Sequence, residues 1–97
     1  MNTGKTILIT NDDGYLAQGI QALTQVMQKI ANVVVVAPDS ARSGAGCSIT
    51  PTQPVNIQEI APNTYACSGT PVDCVKIALE KILPNKPDLV VSGINHG

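Results

Sequence analysis

Two short aliphatic runs separated by a helix-length amphipathic stretch limit the possible folds of this chain more than any other feature. Thr6-Ile7-Leu8-Ile9-Thr10 and Val33-Val34-Val35-Val36-Ala37 are apolar, largely β-branched and of strand length. Such unbroken runs suit strands covered on both faces, as in a parallel sheet. Between them, Ile20, Leu23, Met27 and Ile30 recur at the spacing of one helix face, while Gln21, Gln25, Gln28 and Lys29 fall on the other side. The spacing predicts a helix with Ile20 through Ile30 packed inward, ending at Ala31-Asn32 and followed by a strand that Pro38 stops. Strand, helix and strand make a β-α-β unit, whose right-handed crossover is nearly obligatory.

Beyond Pro38 comes a polar, glycine-bearing loop, Asp39 through Gly46, and then two β-patterned runs, Cys47–Thr50 and Val55–Ile60. With Tyr65-Ala66-Cys67 they read as a hairpin-like excursion beside the main sheet, and the prolines at 51, 54 and 62 suit edge strands. Thr70-Pro71-Val72-Asp73 is a helix start: Thr70 caps, Pro71 takes the first helical position and Asp73 completes a capping box. Val72, Val75, Leu79 and Ile82 form the expected inward stripe, with Cys74 as core packing. Pro84 and Pro87 end the helix, and Asp88 through Ser92 opens a last buried strand. Three strands with only two helices would leave part of the sheet bare, so residues 1–97 are expected to be the N-terminal part of a single, longer domain. The fold class is α/β, a Rossmann-like three-layer α/β/α arrangement with a mainly parallel sheet.

Composition narrows the function classes. A net charge of −1 offers no basic surface for a nucleic-acid polymer or an anionic membrane. No apolar run approaches the ~18 residues a membrane-spanning helix needs. The 3 cysteines lack the spacing of a zinc ribbon or a disulfide framework, which fits reduced thiols in a cytoplasmic protein.

The polar residues that matter fall at strand ends. Asn11-Asp12-Asp13-Gly14 follows the first strand, Asp39 through Gly44 the second, and Ser92-Gly93-Ile94-Asn95 the last. If the strands are ordered second, first, last, the winding reverses beside the first strand. Its C-terminal end then opens on the crevice where ligands bind in open α/β sheets. Adjacent carboxylates there repel each other, and a cation relieves the repulsion. Carboxylate, amide and hydroxyl oxygens are hard ligands suited to Mg²⁺, Mn²⁺ or Ca²⁺ rather than Zn²⁺. Asp39 fits an Asx-turn and stays outside the ligand set. His96, the only histidine, reads as a surface turn residue.

Taken in order, I-L-I-T-N-D-D-G, V-V-A-P-D with R-S-G, S-I-T, G-T-P-V-D-C-V and V-S-G-I-N-x-G resemble the SurE (survival protein E) family of metal-dependent 5′/3′-nucleotidases. The resemblance implies hydrolysis of nucleoside monophosphates with one divalent cation per subunit, Mg²⁺ or Mn²⁺. Carried over motif by motif, it implies Asp12, Asp13, Ser43 and Asn95 as metal ligands, with Asp12 and Asp13 also the catalytic residues. Family chains continue past the last motif into a phosphate-contacting segment and an oligomerisation region, which implies a homo-oligomer in full-length form. Two alternatives stand beside the enzyme: an inactive fragment with a half-built pocket, and a receiver-like Mg²⁺-binding regulatory module in which only Asp39 could accept a phosphoryl group.

Overall fold

Strand β1 (Thr6–Thr10), helix α1 (Gln18–Met27) and strand β2 (Asn32–Pro38) form the expected β-α-β unit in a computed structural model of the chain, which describes residues 4–39 and 55–92. β1 and β2 are parallel, with Ile7 opposite Val33 and Ile9 opposite Val35. Strands β3 (Ile57–Ala61) and β4 (Thr64–Cys67) follow, then helix α2 (Pro71–Ile77), a π-helical continuation Ala78–Ile82, and strand β5 (Leu89–Ser92). The five described strands lie in one sheet in the order β3-β4-β2-β1-β5. The predicted order of second, first and last strand is therefore present at its centre, with every pairing parallel except β3 with β4.

Period-two alternation divides the core between the two faces. Ile7, Ile9, Val33, Val35 and Ala37 pack with Ile20 of α1, while Leu8 and Val36 pack with Cys67, Cys74 and Ala78 under α2. α2 contacts both β1 and β2 on its way from β4 to β5. One helix on each face gives the three-layer arrangement expected from the sequence.

Five expectations change in detail. Ile30 is 54% exposed, because α1 ends at Met27 and the chain turns before the next inward position arrives. The hairpin is not beside the sheet but is its edge: β4 pairs directly with β2, and β3 pairs only with β4. Pro62 sits in the hairpin turn rather than in an edge strand, followed by Asn63 at φ 61°, the residue order a type II turn favours. The Cys47–Thr50 run, Pro51 and Pro54 lie outside the described residues.

The second helix is turned from its predicted face. Cys74 and Ala78 are fully buried whereas Leu79 is exposed. Small side chains let the helix approach Leu8 and Val36 closely, and a stripe drawn through the larger residues misses this. The last turn is widened, the Leu83 N–H reaching the Ala78 carbonyl at 2.9 Å. Finally, β5 lies at the edge of the sheet among the described residues, where Leu89 is 51% and Val90 45% exposed. Asp88 fixes its register, accepting from the Thr6 N–H at 2.8 Å and donating its own N–H to the Thr6 carbonyl at 2.8 Å.

Candidate metal centre

The Asn11–Gly14 turn lies at the C-terminal end of β1, where β1 is flanked by β2 on one side and β5 on the other. This is the point at which the winding reverses, because α1 carries the chain to β2 and α2 carries it back across to β5. β5 ends with Ser92 opposite Thr10, so the two strands finish level.

Asn11 holds the turn. Its side chain is completely buried; Nδ2 donates to the Gly14 carbonyl at 2.8 Å, and Oδ1 accepts from the Gly14 N–H at 3.1 Å. Gly14 has φ +106°, a conformation costly for any residue with a Cβ. The Tyr15 N–H then donates to the Pro38 carbonyl at 2.9 Å, tying the turn to the end of β2. The clasp closes around Asp12 and Asp13, both half-buried, without using Asn11's amide on either carboxylate.

One Asp12 oxygen, Oδ1, is buried with no hydrogen-bond partner among the described residues, and so is Thr10 Oγ1 at the last position of β1. A buried carboxylate oxygen without a donor costs several kcal/mol in principle, about 1–3 or more, unless something electropositive meets it. A hard divalent cation is such a partner, and a carboxylate oxygen is the donor it takes. No group of three or more His, Cys, Asp or Glu side chains that could hold a metal occurs among the described residues. That is consistent with the donor set inferred from the sequence, in which two aspartates carry the charge and the other oxygens are neutral.

Of that set, Asp12 and Asp13 stand together in this turn, whereas Ser43 and Asn95 lie outside the described residues, as do Arg42 and His96. Asp39 is exposed at the exit of β2 and donates its N–H to the Cys67 carbonyl at 2.8 Å. Reading the sequence for ligands passed over Asn11 and Thr10. The N-x-x-G spacing after a strand could have identified Asn11 as the turn's clasp. Nothing in the sequence separates Thr10 from any other terminal strand threonine.

Comparison with known proteins places this geometry in a family. The family model described as Survival protein SurE matches residues 7–97. A 5′-nucleotidase SurE of Vibrio parahaemolyticus is 58% identical, over 94% of this chain and 36% of the relative. Another from Bacteroides fragilis is 50% identical, over 99% of this chain and 39% of the relative. The crystal structure of the SurE protein from Aquifex aeolicus superposes with a TM-score of 0.90 at 48% identity, covering 95% of this chain and 38% of that one. The chain thus spans under two fifths of the length of these relatives.

Proposed function

The chain belongs to the SurE family, and from that premise we propose that residues 1–97 are the N-terminal part of a single nucleotidase domain. The domain hydrolyses nucleoside 5′(3′)-monophosphates to nucleoside and phosphate. One divalent cation per subunit, Mg²⁺ or Mn²⁺, is held by Asp12, Asp13, Ser43 and Asn95. The observation that carries the activity is the family match over residues 7–97, and the four ligands rest on the motifs of the sequence. The partnerless Asp12 Oδ1 at the switch point supports the metal. Family membership displaces the receiver-like alternative.

A divalent cation, when bound, draws electrons from phosphate oxygens and acidifies its water. The protein's own residues do the rest. Asp12 and Asp13 supply the negative charge that holds the site together, and one of them accepts the proton of the attacking water. Asn11 keeps both carboxylates on one clasped turn, which lessens the ordering needed of them as substrate arrives. The full-length form is read as a cytoplasmic homo-oligomer.

Phosphate release from a nucleoside monophosphate, measured with Mn²⁺ and with EDTA, tests the proposal. Release is expected with Mn²⁺ only, and equal rates in both would end it. Thermal unfolding of the same chain separates an inactive fragment from a competent one, since metal binding to the folded state must raise the midpoint.

A further inference from the structure

A pair of thiols lies at the joint between β4 and α2, away from the aspartate turn. Cys67 ends β4, Cys74 sits in the first turns of α2, and both side chains are fully buried in one cluster with Leu8, Val36 and Ala78. Cys74 is the largest single influence on the Cys67 thiol, acting on it as a side-chain donor. Core packing accounts for each thiol alone, but not for two sulfurs meeting across the joint. We propose that Cys67 and Cys74 close reversibly into an intramolecular disulfide, making this joint an oxidant-sensitive modification site. The inference is independent of the nucleotidase reading.

The surroundings assign the roles. The Gly69 N–H donates to Cys67 Sγ at 3.4 Å. The hydrogen bond from Cys74, together with that N–H, holds the Cys67 thiol at about 7, below the ordinary thiol range, against burial and the carboxylates of Asp73 and Asp39, which push it up. Cys67 is therefore the attacking sulfur and Cys74 the resolving one.

With hydrogen peroxide as oxidant, the Cys67 thiolate attacks one peroxide oxygen. An S–O bond forms, the O–O bond breaks, and the leaving hydroxide takes up a proton to become water. The Cys74 sulfur then attacks Cys67, forming the S–S bond and breaking the S–O bond, and its own proton leaves with the hydroxide as a second water. Two thiols are oxidised and one peroxide is reduced to two waters. The two thiols share one buried cluster at the joint, so bonding at about 2.05 Å draws the end of β4 and the α2 capping turn together rather than rearranging the sheet.

The experiment is a peroxide titration of the chain, followed by alkylation in denaturant and peptide mapping. Cleavage after Asp39, Glu59, Asp73 and Glu80 puts Cys47, Cys67 and Cys74 on three separate peptides. The expected product links the Cys67 peptide to the Cys74 peptide, lighter by two hydrogens, and dithiothreitol releases it. Cys47→Ser is expected to leave the link unchanged. Cys74→Ser is expected to halt at a Cys67 sulfenic acid that dimedone traps. A Cys47 link to either thiol, or full alkylation of both Cys67 and Cys74 after peroxide, would overturn the proposal.

Discussion

Two strand-to-helix turns at the same end of one sheet each contain an acid, and they treat it in opposite ways. At the exit of β4, Asp73 is used up by the fold. Its Oδ2 accepts from the Thr70 N–H at 2.9 Å and the Thr70 hydroxyl at 3.1 Å, and its own N–H donates to Thr70 Oγ1 at 3.3 Å. At the exit of β1, an amide does the structural work. Asn11 bonds Gly14 in both directions, and Asp12 keeps a buried oxygen with no partner among the described residues. A capped helix needs its carboxylate satisfied inside the protein. A ligand site needs one held in place and left over.

The contrast can be broken at the open turn first. Asp12→Asn is expected to lower Mn²⁺-dependent phosphate release by more than about 100-fold, the upper end of what even indirect partners of a metal contribute. It should also abolish the Mn²⁺-induced rise in the unfolding midpoint. Without metal, the variant should be at least as stable as the parent, because the lost charge makes no native hydrogen bond through Oδ1. A loss of 2 kcal/mol or so in metal-free chemical denaturation would mean that Asp12 is structural after all.

The closed turn should fail the other way. A Cβ on Gly69 would lie 2.5 Å from Asp73 Oδ2, so Gly69→Ala must push the carboxylate off its cap. Denaturant unfolding is expected to register a loss of about 2–3 kcal/mol, with the metal-induced shift intact. Asn11→Ala strands the Gly14 N–H and carbonyl in a buried turn and should cost about 2 kcal/mol. It alone of these variants should weaken both stability and metal response, since it loosens the scaffold of Asp12 and Asp13. Thr70→Ala removes one cap acceptor and should cost about 1 kcal/mol, the smallest effect.

Local chemistry made much of this legible from residues alone. The βαβ unit followed from two aliphatic runs and a 3.6-residue period, and the capping box from Thr70, Pro71 and Asp73, because each is decided within a few residues of itself. The same holds for the aspartate pair at a strand end. The α2 face was misjudged because helix approach depends on the small residues Cys74 and Ala78 meeting Leu8 and Val36, which are distant in the chain. β5 was expected to be buried because its composition matches that of β1, and only the strand order puts one at the centre and the other at the edge.

The sequence by itself determined which segments are strands and helices, where acids follow strands, and the family to which those motifs point. The sequence also marked Asp73 as spent in a cap, and the tertiary structure decided that Asp12 keeps an oxygen to spare. Hydrogen-bond satisfaction is a property of what surrounds a buried oxygen, and Asp12 and Asp73 differ in it. It also brought Cys67 against Cys74, since a strand end and a helix face meet only when the sheet is assembled.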